Sequence, residues 1–563
     1  MVLVLVSGGR SQLAQAIANR LVVAGHTVRL TDRPGGPRAG SYPRTITWVE
    51  CSLDADEHTA RLVEGVAQII HVEPVRWPIH TASLSCLAVT RAWARWLALM
   101  HAMPVSVLHA SSPEQVLPAL DDWLDTCGRC VYNLLWAASD AGVERCCMLS
   151  TMDIFNPYPT DIGVKFNFEP RPSTQPEILG PWLAEFAARE FAMCGAMVVL
   201  SARLGTLLSK PPTAAAIAAG QHRWWVTIDE VAEELTSAVN AAAAKGLPSL
   251  TSRHASIYDT VNLCHGDGLR PGLTKQRADG GNPAWTPPPP ASTTVGRPAS
   301  SGALSSKTRV LILGASGMLG PDVVRCLSGD LPQHSGDDSR AYSLKITDVT
   351  DRPTRRDDAQ IERSKDNNRS SAAFTPQTPD TDPRHDYQSV DITNIAEVTQ
   401  AAKGTDVIII CAVSRTPVNQ RRLAFDVNAR GVFNAATAAV QCGHARLVNT
   451  GPWTVVGGHF RNWHHNLNED MPPQSGLDLY SFSKGIGHEI SRVFSVNFPL
   501  HVLTTMHGSF PRADFDEEYP KAGKQSVLEG DYPFQPLSST FPDAARYGKP
   551  YVNPSLACSP AVA

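Results

Sequence analysis

No apolar run in this 563-residue sequence approaches the roughly 20 residues that cross a bilayer, so a membrane span is not expected. Neither sign of charge dominates. Lys and Arg number 50 against 54 Asp and Glu, a formal net charge of −4, which excludes a global attraction to nucleic acid or to an anionic membrane surface. A basic n-region is missing too, because Met1 to Val6 runs straight into Gly8, too short for a signal peptide. A cytoplasmic location is the expectation. Paired metal-binding cysteines are also lacking. The 12 cysteines are scattered, and Cys127-Gly128-Arg129-Cys130 has no second C-x-x-C to complete a zinc site. A redox dithiol at that helix start stays open, but reduced, packed thiols are the expectation there and at Cys146-Cys147.

The length exceeds what one ordinary core supports, so two or more domains are expected, and 43% hydrophobic residues suit globular ones. The most informative stretch is Arg309 to Gly320. An apolar run of strand length reaches Gly314, Gly317 and Gly320 follow at three-residue spacing, and Pro321 to Leu327 reads as a helix. In a strand–turn–helix of this kind the first glycine permits a tight turn. The second lets a pyrophosphate approach the backbone, and the third lets helix and strand pack closely. The helix N-terminus adds free N–H groups and a positive dipole end.

The first 268 residues show the same organisation in weaker form. A strand over Met1 to Val6 leads into Gly8, with Ser11 and Ala14 in place of the second and third glycines, and Thr27 to Asp32 reads as a second strand ending in an acid. Strands then alternate with helices through Ala67–Val72, Cys130–Ala141, Arg145–Ser150 and Ala196–Leu200, which means a parallel, doubly wound sheet. Residues 269–306 turn rich in Pro, Ser, Gly and Thr and read as a disordered or extended linker. From 307 the pattern restarts. Tyr342 to Asp348 reads as a strand, a polar insertion occupies about 351–387, and strands and helices alternate again to Met506. Leu30-Thr31-Asp32 echoes Ile346-Thr347-Asp348, and Cys130–Ala138 echoes Gly431–Ala439. The expected fold class is therefore α/β, two tandem doubly wound (Rossmann-type) parallel-sheet domains, 1–268 and 307–563, joined by a Pro/Ser-rich linker.

Residues 307 to about 510 resemble the extended short-chain dehydrogenase/reductase family, in particular its NAD-dependent epimerase/dehydratase and 3β-hydroxysteroid dehydrogenase-like branches. The motifs that carry this are Gly314, Gly317 and Gly320, then Asp348 closing the second strand and Asp391-Ile392 after the third. Asp426 to Asn434 looks like the family's N-V-x-G-T-x-N helix, and Tyr480-Ser481-Phe482-Ser483-Lys484 is a Y-x-x-x-K. The resemblance implies Tyr480 and Lys484 as catalytic residues. It implies a dinucleotide held by Gly314, Ser316, Gly317, Met318, Leu319, Gly320, Asp348, Asp391, Ile392, Ala412, Val413, Asn428 and Lys484. Asp348 favours NAD over NADP, because an acid at that strand end pairs with ribose hydroxyls and repels a 2′-phosphate; NADP stays open. The implied partner is a small-molecule substrate, a sugar nucleotide or a sterol-like alcohol, with a homodimer left open. The first domain resembles the same family, but the helix segment Trp182 to Phe186 has apolar residues where Y-x-x-x-K is sought, so a catalytically dead copy is expected.

Physical reasoning on Tyr480 and Lys484 points the same way. Residues four apart share a helix face, and an ammonium beside a phenol favours phenolate. Such a tyrosine exchanges a proton with a hydroxyl or carbonyl while hydride moves. The alternative is a surface pair on an amphipathic helix. One departure matters. Counting back from Val455-Val456-Gly457, the family's oxygen-binding Ser or Thr falls at Pro452, which has no donor. Thr450 is the first substitute and Thr454 a second. That departure keeps a non-catalytic dinucleotide-sensing or scaffold protein as the alternative to an NAD-dependent oxidoreductase or epimerase.

Overall fold

The computed structural model describes residues 1–34, 43–54, 56–72, 123–158, 164, 168–218, 223–245, 258–265, 308–317, 319–328, 342–349, 385–414, 420–456 and 473–507. The segment 269–306, most of 351–387, Met318 and the chain after Phe510 lie outside these residues. Two compact units divide at Pro288 and Pro289.

In the first unit the elements run β1 (Leu3–Val6), α1 (Gln12–Val23), β2 (Thr27–Asp32), β3 (Ile46–Glu50), α2 (Asp56–Val63), β4 (Gln68–His71), α3 (Val131–Asp140), β5 (Arg145–Thr151) and α4 (Pro176–Met193). They continue with β6 (Val198–Leu204), β7 (Thr206–Leu208), α5 (Ala214–Ala218), β8 (Trp225–Thr227), α6 (Ile228–Lys245) and β9 (Tyr258–Leu263). Seven strands form one sheet in the order β3-β2-β1-β4-β5-β6-β9, and every pairing in it is parallel. Strands buried on both faces need near-continuous apolar runs, and Val4, Leu5, Val6, Ile69 and Ile70 are all 0–1% exposed. Leu13, Ile17 and Leu21 of α1 and Val231, Leu235 and Val239 of α6 pack with Val4, Val6, Val28 and Leu30 in one core. The sequence alone does not announce β3 and α2, whose short, mixed-polarity runs carry little period.

At the C-terminal ends of β1 and β4 a polar pair is sealed in the sheet. Ser7 Oγ lies 2.8 Å from His71 Nδ1 and accepts from the Val72 N–H at 3.0 Å, while His71 Nε2 is buried without a partner. Burial pushes the His71 imidazole down to about 3 from its ordinary 6.5. A base whose folded pKa is depressed contributes stability above its unfolded pKa and loses it as pH falls toward the folded value. The first unit is therefore expected to lose about 1.4 kcal/mol per pH unit below about 6.5 through this residue. Urea titrations at pH 7, 6 and 5 check this. The double variant Ser7→Ala/His71→Leu should show a slope shallower by that amount, and an unchanged slope would mean His71 is not the group responsible.

In the second unit the order is β10 (Arg309–Leu313), α7 (Gly320–Leu327), β11 (Ser343–Asp348), β12 (Asp386–Ser389), α8 (Ile395–Ala402), β13 (Val407–Ile410), α9 (Arg421–Phe425), α10 (Gly431–Gln441), β14 (Arg446–Pro452), α11 (Leu479–Asn497) and β15 (His501–His507). Six strands form an all-parallel sheet, β12-β11-β10-β13-β14-β15, the same order as the first six of the other unit. Val390-Asp391-Ile392 directly follows the third strand, whose ladder is made by Asp386 to Ser389 against Lys345 to Asp348. Before α3 and before α10 the chain makes a π-turn, Thr126–Cys130 and Asp426–Arg430. Such turns insert one residue into a helix and re-aim a side chain.

Candidate functional site

The site is built where β10 and β13 part at the centre of the second sheet, the crevice in which doubly wound folds place ligands. Gly314 has φ +84° and its N–H, like that of Ala315, donates to Thr347 O at 3.0 Å. A Cβ on Gly314 would sit 2.5 Å from Ala412 Cα, and one on Gly320 would sit 2.4 Å from Ala315 O, so neither position admits a side chain. Gly317 differs. Among the described residues its added Cβ would meet only Gly314 O, at 3.4 Å, so they leave this part of the turn uncrowded.

Ser316 places its N–H on Asp348 Oδ2 at 2.8 Å, while its Oγ is buried without a hydrogen-bond partner. Asp348 Oδ1 accepts from Val349 N at 2.8 Å. Each carboxylate oxygen thus keeps a lone pair. An orphaned hydroxyl in the turn, an open glycine and an acid at the end of β11 fit a dinucleotide. Leu319 is packed in the core and offers only its backbone. Ala412 N donates to Leu313 O at 2.9 Å and closes the other side of the turn, and Val413, half-buried, follows it.

Asp391 is engaged in its own turn. Its Oδ1 accepts from Thr393 N and Thr393 Oγ1, each at 2.8 Å, and its N–H donates to Glu397 Oε2 at 2.8 Å. Ile392 O accepts from Asn434 Nδ2 at 3.0 Å, tying this loop to α10. Asn428 is a clamp. It is 0% exposed, its Oδ1 accepts from Ser414 N at 2.9 Å, and its Nδ2 donates to Ser414 O and to Ser483 Oγ, both at 2.9 Å. The π-turn aims it, and Gly487, where a Cβ would lie 2.2 Å from Asn428 O, lets α11 approach closely enough.

Helix α11 begins at an Asp478 cap, whose Oδ2 accepts from Ser481 N at 2.8 Å. Tyr480 is half-buried in its first turn. Lys484, one turn on, is 3% exposed, and its Nζ donates to Thr450 O at 2.9 Å. Burial pushes the neighbouring Cys411 thiol up to about 12, with the Lys484 charge pulling it down and the Asp348 charge pushing it up. The two charges thus bear on one spot at the end of β13. Thr450 Oγ1 donates to Ile410 O at 2.7 Å. Thr454, in a 3₁₀ turn after Pro452, accepts from Ser481 Oγ at 2.8 Å. Sequence reasoning does not single out Ser481 or Ser483. Only their place inside the Y-x-x-x-K segment is a signal for them.

In the first unit the corresponding turn is closed on itself. Gly8 has φ +68°, and Arg10 N donates to Asp32 Oδ2 at 2.9 Å, as Ser316 does to Asp348. Ser11 Oγ accepts from Ala14 N at 3.1 Å and donates to Gly8 O at 2.8 Å, so the helix-end donor is already capped. The Arg10 guanidinium bonds the Arg33 carbonyl and pairs with Asp32 and Glu50, each at 3.2 Å, and lies 5.4 Å over the Trp48 ring. Val198 and His501 hold equal places in register, opposite Arg145 and Arg446. Counting back from them puts Glu177 and Pro181 opposite Tyr480 and Lys484. This is about one turn before the Trp182–Phe186 segment marked in the sequence, and it too lacks both groups.

The two thiols of the C-x-x-C are packed. Burial, with Asp125 adding, pushes Cys130 up to about 12, and Cys127 is 0% exposed. Among the described residues no cluster of His, Cys, Asp or Glu could hold a metal ion, and no helix is long and apolar enough to cross a membrane.

Two Arabidopsis thaliana proteins are similar to this chain. 3beta-hydroxysteroid-dehydrogenase/decarboxylase isoform 1 is 31% identical over 111 residues, 19% of this chain and 24% of that protein. Isoform 2 is 33% identical over 110 residues, 19% of each. The chain thus spans about a quarter or less of the length of the curated relatives it matches. A solved uronate dehydrogenase from Agrobacterium tumefaciens, a mutant complexed with NAD, is 20% identical, with 44% of this chain and 75% of that one covered at a TM-score of 0.32. Residues 310–510 match the model of the NAD dependent epimerase/dehydratase family. The match falls within the second unit and takes in the glycine turn, Asp348, Tyr480 and Lys484.

Proposed function

We propose that the second unit is an NAD(H)-dependent oxidoreductase or epimerase acting on a hydroxyl or carbonyl of a small substrate, a sugar nucleotide or a sterol-like alcohol. The observation that carries this reading is the buried ammonium of Lys484, one helical turn after Tyr480 and anchored on Thr450 O at the end of β14. NAD, held by the glycine turn and Asp348, would supply the acceptor for the hydride that leaves the carbon bearing the hydroxyl. Tyr480 takes the hydroxyl proton in that direction and returns it in reduction. Lys484 lowers the phenol pKa through its charge and is held in place by the Thr450 carbonyl. Asn428 fixes the loop after β13 against α11, so that the cofactor wall and the catalytic helix keep one geometry.

A second reading, dinucleotide binding without turnover, is favoured by Pro452 and by a first unit that lacks both the Tyr and the Lys. Titration with NADH, read by its fluorescence, followed by a screen of UDP-glucose, UDP-galactose, UDP-glucuronic acid, glucuronate and a 3β-hydroxysteroid with NAD, tests both. Absence of NADH binding would sink the two readings together; binding without turnover would leave the second.

Cofactor choice follows from Asp348. Asp348→Ala is expected to weaken NADH binding about tenfold or more, the scale of hydrogen bonds to a charged group, and to improve NADPH relative to NADH. Parallel titrations with the two cofactors measure it. A wild type that already prefers NADPH contradicts the role given to this carboxylate.

A further inference from the structure

Pro452 leaves the reacting oxygen without the hydroxyl donor expected at the end of β14. The remaining hydroxyls there are not equivalent. Thr450 Oγ1 spends its proton on Ile410 O inside the sheet, at 2.7 Å. Thr454 Oγ1 instead receives a proton, from Ser481 Oγ at 2.8 Å. A hydroxyl has one proton and two lone pairs. With Ser481 on one lone pair, the Thr454 proton lies off the line to Ser481 Oγ and is left for another acceptor.

The two side chains also differ in exposure. Ser481 is 1% exposed and its N–H is spent on the Asp478 cap, whereas Thr454 is half-buried. The turn that carries Thr454 is pinned, because Gln474 N donates to Val455 O at 2.8 Å. Ser481 also follows Tyr480 directly, so the pair sits in the first turn of the catalytic helix.

We propose that Thr454 is the catalytic residue that donates a hydrogen bond to the reacting oxygen of the substrate, in place of the donor Pro452 cannot supply, and that Ser481 is the positioning residue that aims its proton. This rests on the reading of Tyr480 and Lys484 as the proton-transfer pair. Thr454 breaks no bond and accepts no proton in this role. It stabilises the partial negative charge on the oxygen as Tyr480 removes or returns the proton.

Thr454→Val keeps the shape and removes the donor. On the panel substrate with the highest wild-type rate, kcat is expected to fall about 10²–10³-fold, the scale of one lost oxyanion donor, while NADH affinity by fluorescence stays within about twofold. Thr454→Ser, which restores the hydroxyl, should recover most of the rate. Ser481→Ala should lower kcat about tenfold with a smaller change in KM, the split expected of a residue that acts through Thr454. Full turnover in Thr454→Val alongside loss in Tyr480→Phe overturns this assignment and leaves the Tyr480 reading standing, as does loss confined to Thr450→Val. Full turnover in Tyr480→Phe, or NADH binding by a wild type that turns over no member of the panel, overturns the reading on which it rests.

Discussion

Gly317→Trp is expected to abolish NADH binding by the whole chain, while Ser11→Trp leaves the affinity unchanged. The difference lies in what each position faces. Among the described residues a Cβ at Gly317 meets only one carbonyl oxygen, at 3.4 Å, so an indole there would fill the space a pyrophosphate would occupy. The Ser316 hydroxyl beside it is buried and unsatisfied, which is costly unless a ligand supplies the partner. In the first unit the same features are already answered from within. Ser11 caps Ala14 N, and Arg10 occupies Asp32 and Glu50 while stacking on Trp48. A nucleotide would have to displace that guanidinium and its two carboxylates. Fluorescence titration should therefore give one NADH per chain, and none for Gly317→Trp. A residual site in Gly317→Trp that disappears on adding Ser11→Trp would place binding in the first unit and refute this account.

Much of this is legible in the sequence, because it depends on short-range signals. Glycine spacing after an apolar run, an acid closing each second strand, and Tyr480 four residues before Lys484 all carry their meaning locally. The parallel sheet follows from strands alternating with helices. What is not legible depends on atoms far apart in the chain. Ser11 reads as an obstruction to phosphate, but the filling of that site by Arg10 needs Trp48 and Glu50, which only the β2–β3 pairing brings alongside. Asn428 falls among the cofactor ligands by resemblance, yet its hydrogen bonds go to Ser414 and Ser483. Thr450 is the better oxygen ligand by position alone. Its bond to Ile410 O, 40 residues away, decides against a free proton there. Sequence marks the residue types; the partner that consumes each donor is set by tertiary packing.

Tyr480→Phe is expected to lower turnover about 10²–10⁴-fold, the usual scale of a lost general acid or base, with little change in NADH affinity. The substitution keeps the ring and removes the one titrating oxygen, so a purely structural tyrosine would lose little. Lys484→Met should behave differently. The ammonium is buried and bonded to Thr450 O, so its loss removes both the charge that favours phenolate and a contact that fixes α11 on β14. Turnover and NADH affinity should then fall together. The pair of variants separates chemistry from binding: kcat alone for Tyr480, kcat and affinity for Lys484. If Tyr480→Phe lowers affinity as much as rate, the tyrosine is a cofactor contact and not the proton carrier. If it keeps full activity on a substrate the wild type accepts, the proton is moved by another group and the assignment of α11 as the catalytic helix fails.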